Sequence, residues 1–138
     1  MEPTLEKYEL RLTVTGEDID RLGHVNNLVY LRWVQDAAVA HWMAAAAPKD
    51  QEALFWVITR QEIDYKRPAF EGDDIVVQTW VGKAERRAFD RHTEITRARD
   101  GKILAVARTV WCPVDSTTLR PVDVAEGIRE RFSIPALD

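Results

Sequence analysis

The chain is poor in the side chains that carry metal, redox or nucleotide chemistry. A single cysteine, Cys112, stands among 138 residues, which excludes an intrachain disulfide and any zinc site built from cysteines. The three histidines, His24, His41 and His92, are scattered without ligand spacing, so no metal is expected on imidazole either. Six glycines form neither a Gly-x-Gly-x-x-Gly nor a P-loop string, and no serine occupies a nucleophile elbow. No resident cofactor is therefore expected. Basic residues are not in surplus: the net charge of −4 argues against a general nucleic-acid binder. Long apolar runs are absent too. The longest stretch without charge, Ala37 to Pro48, falls short of the roughly 18 residues a membrane span needs, and the N-terminus lacks a basic region followed by an apolar run. A cytoplasmic protein, off the membrane and built as one domain over residues 1–138, is the expectation.

What is present is concentrated in Asp18 to Trp33. Asp18, Asp20, Gly23, His24, Asn26 and Asn27 fall within ten residues, and then polarity stops: from Leu28 to Ala47 only Tyr30, Arg32, Asp36 and His41 can ionise. No Gly or Pro interrupts that second stretch, its Ala/Leu/Met content favours a helix, and Pro48 ends it. Apolar residues at Leu28, Leu31, Val34, Ala38 and Trp42 mark one side, and Val29, Trp33, Ala37 and Ala40 spread round the flank. A helix apolar around most of its circumference is expected inside a core. Asn26 or Asn27 is suited to cap its N-terminus. The uncapped N–H groups and the positive end of the helix dipole would then face a loop in which an acid can fold back beside them. That is the geometry of an anion-stabilising site with a carboxylate neighbour.

The remainder reads as strands. Tyr8 to Val14 alternates; Ala53 to Tyr65 is long and begins apolar on both faces; Asp74 to Val81, Ala88 to Arg97 and Ile103 to Cys112 follow. Pro48 to Glu52 reads as a polar linker, Asp100-Gly101 as a type I′ hairpin turn, and Pro113 as the end of the last strand. A short amphipathic helix, Val124 to Phe132, closes the pattern. One strand, one long helix and four strands joined largely by hairpins make an α+β order, with an antiparallel β-sheet wrapped around a long central α-helix. Five tryptophans exceed what a lone small domain needs, and some are expected on a partner face.

The string Asp20-x-x-Gly23-His24-Val25-Asn26-Asn27-x-x-Tyr30 resembles the signature of hotdog-fold thioesterases, in the 4-hydroxybenzoyl-CoA thioesterase family and its fatty acyl-CoA relatives. Ile63 to Asp73, with Pro68 and Gly72, is similar to that family's connection between its second and third strands, and Arg120-Pro121 to its end. The resemblance implies a hotdog fold and hydrolysis of an acyl-CoA thioester without a cofactor. It implies Asp20 as nucleophile or general base and the Asn27 backbone N–H as donor to the thioester oxygen. His24 is the third candidate, for catalysis or substrate orientation. Gly23, Asn26 and Tyr30 are candidates for substrate binding, although Tyr30 also suits packing. Arg86-Arg87 resembles the basic stretch that holds CoA phosphates, with Lys66-Arg67 an equal alternative. A homodimer or homotetramer with active sites between subunits is implied as well.

Two departures narrow the choice. Leu22 stands where plant acyl-carrier thioesterases, with a similar motif, place an asparagine. No glutamate follows a Gly-Gly turn on the helix, as a second hotdog branch requires. An acyl-carrier-protein thioesterase and a non-catalytic acyl-CoA-binding hotdog module remain the alternatives. Acyl chain length cannot be read from the sequence, though Trp33, Phe55 and Trp56 are candidates to set it.

Overall fold

The computed structural model describes residues 7–132. Its elements in chain order are β1 (Tyr8–Thr13), a 3-10 turn (Gly16–Asp18), α1 (Asn27–Ala45), α2 (Pro48–Ala53), β2 (Leu54–Tyr65), β3 (Asp74–Glu85), β4 (Ala88–Arg97), β5 (Ile103–Asp115) and α3 (Glu126–Phe132). The strands form one antiparallel sheet in the order β1-β3-β4-β5-β2. Buried and half-buried residues alternate along β3 and β4, with Ile75, Val77, Thr79 and Val81 turned inward beside Phe89, Arg91, Thr93 and Ile95. That alternation follows from the two-residue period of a pleated strand with one face on a core. Helix α1 lies against this inner face and contributes Tyr30, Trp33, Val34, Ala37, Ala38 and His41 to the interior. This is the hotdog arrangement.

Several local expectations change. The long helix is not buried all round: Leu28 (70% exposed), Met43 (58%) and Val39 (49%) face outward, because a single sheet can cover only one side of a rod. Residues from Pro48 form a one-and-a-half-turn helix rather than a linker, with proline at its first position, where a missing N–H costs nothing. Strand β5 runs through Pro113 to Asp115. The Pro113 carbonyl accepts from the Val122 N–H at 3.0 Å, on the side away from β2. Since a strand residue points its N–H and C=O the same way, the N–H that proline lacks is one the β2 ladder does not use. The Asp100-Gly101 turn is not type I′, which needs positive φ at two residues; only Gly101 has it (φ 69°). Asp100 instead binds the Arg97 guanidinium and the Lys102 N–H.

Trp33 and Trp111 are buried and Trp42, Trp56 and Trp80 half-buried. Trp42 and Trp56 pack edge to face, and Trp56 stacks obliquely on Phe89. Phe55, Val57 and Tyr65 are further outward apolar groups, on β2, the sheet's long edge strand.

Candidate active site

The Asp20 loop is a miniature hairpin held from both sides. Ile19 bridges Val25, the Asp20 N–H donates to the His24 carbonyl at 3.0 Å, and the Gly23 N–H donates to the Asp20 carbonyl at 3.0 Å. Gly23 has φ +83°, in the left-handed region where a side chain would strain the turn. This closure puts the Asp20 and His24 side chains beside one another, with Oδ1 to Nδ1 at 3.9 Å, too long for a direct hydrogen bond. Asp20 Oδ1 accepts from the Leu22 N–H at 2.9 Å, an Asx turn. Oδ2 has no partner among the described residues. His24 Nδ1 lies 3.3 Å from the Val25 carbonyl. With the proton on Nδ1 to make that bond, Nε2 keeps a lone pair.

The loop is tied down at its two ends. Asp18 is buried: its Oδ1 accepts from Arg32 Nη2 at 2.9 Å, and its Oδ2 faces the Thr15 N–H at 3.3 Å. The Asp18 carbonyl also takes the Asn26 N–H at 2.9 Å, while the Val25 N–H donates to the Ala69 carbonyl at 2.8 Å. The start of α1 is thereby fixed against the β2–β3 connection. Asn26 is the N-cap, its side chain accepting from the Leu28 N–H at 2.9 Å. Asn27 is the first helical residue, and its N–H has no acceptor among the described residues.

His24, Asn27, Tyr30, Tyr65, Lys66 and Arg67 line an open cleft of about 200 Å³. Of the residues named from the sequence, His24, Asn27, Tyr30 and the alternative basic pair Lys66-Arg67 thus meet at one surface; Asp20 does not line it, its Oδ1 lying 3.9 Å from His24 Nδ1. Tyr30 is there as a structural group: it is buried, and its hydroxyl accepts from the Ala69 N–H at 2.9 Å. Burial raises its pKa, opposed by that hydrogen bond. Asn26 spends its side chain on the cap and does not line the cleft.

Arg86 and Arg87 are elsewhere in this chain. They sit at the β3–β4 turn, paired with Asp123 at 3.8 and 3.1 Å. The length of β3 separates that turn from the Asp74 end, about 35 Å at roughly 3.3 Å per residue. Tyr65, whose hydroxyl donates to the Asn27 carbonyl at 3.1 Å, falls within the Ile63 to Asp73 stretch, but one tyrosine at the end of a strand carries no signal of that role. The Asp18–Arg32 pair was equally silent, because its two residues are 14 apart.

An antiparallel sheet packed on a long helix, with the helix N-terminus opening beside an acid-bearing loop, defines a class, and the sequence comparison agrees. The profile of the thioesterase-like superfamily matches residues 14–132, and the chain belongs to that family. Among curated relatives, the acyl-(acyl-carrier-protein) hydrolase FATB3, chloroplastic, of Cuphea viscosissima is 31% identical over 79 residues, 57% of this chain and 19% of that protein. The long-chain acyl-CoA thioesterase FadM of Escherichia coli (strain K12) is 22% identical over 132 residues, 90% of this chain and 96% of that one. This chain spans about a fifth to a third of the length of the plant relatives it matches. Among solved structures, a thioesterase from Thermus thermophilus, complexed with coenzyme A and Zn, superposes with a TM-score of 0.77 and 28% identity over 91% of each chain.

Proposed function

We propose that the protein hydrolyses an acyl-CoA thioester to the free acid and CoA, acting in the cytoplasm as a single hotdog domain. The observation that carries this reading is the meeting of His24 and the Asn27 N–H, unpartnered among the described residues, on one cleft, with the Asp20 carboxylate 3.9 Å from the His24 ring. A thioester carbonyl seated there would direct its oxygen at the helix N-terminus, where the Asn27 N–H and the aligned peptide dipoles stabilise the charge that develops on attack. Asp20, through the oxygen not engaged by Leu22, attacks the carbonyl carbon or takes a proton from an attacking water. His24 orients the substrate or that water. The thiolate of CoA leaves and takes up a proton; on the nucleophilic route water then hydrolyses the Asp20–acyl anhydride to free the acid and the carboxylate, and on the general-base route the tetrahedral intermediate collapses directly to the acid. Tyr65 fixes the donor by holding the Asn27 carbonyl.

The site reads as incomplete in one subunit. Strand β2 is twelve residues long and forms an open edge of the sheet with apolar groups turned outward, an arrangement suited to pairing with a second copy. Two-fold pairing of β2 with itself is antiparallel. It would therefore set the Tyr65 end of one subunit beside the Leu54 end of the other. Strand registers put the β3–β4 turn at the Leu54 end, so the partner's Arg86 and the partner's Arg87 would approach the cleft that holds Lys66 and Arg67. Four cations around one mouth suit the nucleotide phosphates of CoA. A homodimer, able to pair again into a tetramer, follows from this reading.

Thiol release over a panel of acyl-CoA and acyl-carrier-protein thioesters tests the proposal. Turnover of acyl-CoA, with KM raised about tenfold or more by Arg86→Glu/Arg87→Glu, is expected. Turnover of the carrier-protein substrates alone would transfer the assignment to that class. Binding without turnover of any thioester would leave a non-catalytic module.

A further inference from the structure

The interior of this hotdog is two apolar clusters rather than one, centred on Tyr30, Trp33 and Ile95 and on Phe89, Trp111 and Phe132. Between the helix and the sheet sit His41, Arg91, Thr79, Thr93 and Thr109, all buried. The Arg91 Nη1 group donates to His41 Nδ1 at 3.0 Å and to Thr79 Oγ1 at 3.1 Å. No carboxylate lies within ion-pair distance of this guanidinium among the described residues. A buried cation held only by neutral groups is costly, and nothing in the proposed chemistry of the Asp20 loop uses it.

Arg91 also reaches the wall of a cavity of about 60 Å³, whose other walls are Ala38, Val39, Trp42, Trp56, Phe89 and Trp111. One unused acceptor stands nearby, the buried hydroxyl of Thr109, the residue paired with Arg91 across β4 and β5. Arginine can only donate, so His41 Nδ1 must accept and the imidazole proton must be on Nε2. That Nε2 group, which lies outside the cavity lining, is buried without a hydrogen-bond partner among the described residues, as are Trp56 Nε1 and Trp111 Nε1. Only the Nη1 group of Arg91 donates to a described residue; its Nε and Nη2 groups do not, and they are not fully buried. A guanidinium at a cavity wall without a carboxylate partner is met by an oxyanion, and its edge matches both oxygens of a carboxylate.

We infer that this cavity receives the carboxylate end of an acyl group whose thioester is held at the cleft, making Arg91 a specificity-determining residue for ω-carboxyacyl thioesters. The inference rests on the thioesterase reading above and names its substrate class. Ala38 lies eleven residues beyond Asn27 on α1, about 17 Å along the axis. The two ends of one acyl group could thus occupy the cleft and the cavity of a single subunit, or of the two subunits brought together along β2. The aromatic walls would shield the methylenes, and a plain methyl terminus would leave the Arg91 charge without a counter-charge.

The test is a length series of acyl-CoA pairs, each pair equal in chain length and ending in either a carboxyl or a methyl group, assayed on the wild type and on Arg91→Met. At the length that spans the site, kcat/KM for the carboxyl-ended member is expected to exceed that of its methyl-ended partner by about 10- to 100-fold, the range for a hydrogen bond to a charged group. Arg91→Met should abolish or reverse the preference while sparing the methyl-ended substrates. A wild type that favours the methyl-ended member at every length overturns the inference and leaves the thioesterase reading standing. So does an unchanged ratio in the variant. If no thioester is turned over, the thioesterase reading fails, and the cavity is then judged by melting of the wild type with an alkanoate against the alcohol of equal length. Greater stabilisation by the alkanoate supports the carboxylate site, and equal effects overturn it. Should Arg91→Met not fold, the wild-type comparisons decide alone.

Discussion

Two aspartates only two residues apart are predicted to fail in opposite ways. Asp18→Ala removes the bond to Arg32 at 2.9 Å and the acceptor that faces Thr15 at 3.3 Å, and leaves the Thr15 N–H without a side-chain partner. Asp18 is buried but Arg32 is 57% exposed, so the freed guanidinium returns to water. The loss is then that of one charge-assisted hydrogen bond, about 1.5–3 kcal/mol, rather than the larger penalty of a fully buried broken pair. At about 4 °C per kcal/mol for a chain of this size, Tm should fall by about 6–12 °C. Asp20→Asn keeps an oxygen to accept from Leu22 and, at a partly exposed site, should change stability by less than about 0.5 kcal/mol. It removes the proposed base or nucleophile, and kcat should fall by about 10²- to 10⁴-fold. Calorimetry and a thiol-release assay on both variants decide the matter. A stable, inactive Asp18→Ala beside an active Asp20→Asn would refute the division of labour.

Three further outcomes follow from the same geometry. Tyr30→Phe strips the acceptor from the buried Ala69 N–H and should cost about 1–3 kcal/mol, seen as a lower Tm with kcat changed less than threefold; a selective loss of kcat would give Tyr30 a chemical role. Burial, with the nearby Arg91 charge, lowers the pKa of His41 to about 4 from 6.5, so the folded state refuses a proton that the unfolded chain takes up. Stability should be fully present above about pH 6.5 and fall by about 1.4 kcal/mol per pH unit down to about pH 4, and urea melts of His41→Gln should lose this slope. Val57→Lys, on the open edge of β2, should yield a monomer by sedimentation that retains its fold and loses activity; an active monomer would contradict the shared site.

The fold was legible because its determinants are local. Alternation in Tyr8 to Val14 and Ala88 to Arg97 and the uninterrupted run after Leu28 each specify an element without reference to partners, and their order packs the helix against one face of a sheet. Boundaries went astray where tertiary context overrode a residue's usual meaning. Pro113 continues a strand because the N–H it lacks faces away from the β2 ladder, and Asp100 turned to Arg97 rather than forming a two-residue turn. Part of the site was legible for the same reason: Asp20 to Tyr30 is contiguous, so its hairpin and cap are written in sequence. Arg32 with Asp18, Arg91 with His41, and Tyr65 with Asn27 come together only through folding, with separations of 14, 50 and 38 residues. No local pattern announces such pairs. The exposed edge of β2 belongs to the same kind, since a strand reads alike whether its outer neighbour is water or a second chain.

The most direct measurement is a crystal structure with a non-hydrolysable acyl-CoA analogue that keeps the carbonyl. The account predicts the carbonyl oxygen about 2.7–3.1 Å from the Asn27 nitrogen, and an Asp20 oxygen within about 3.5 Å of the carbonyl carbon or one water away from it. A carbonyl bound away from the start of α1, or an Asp20 carboxylate out of reach of it, would contradict the account.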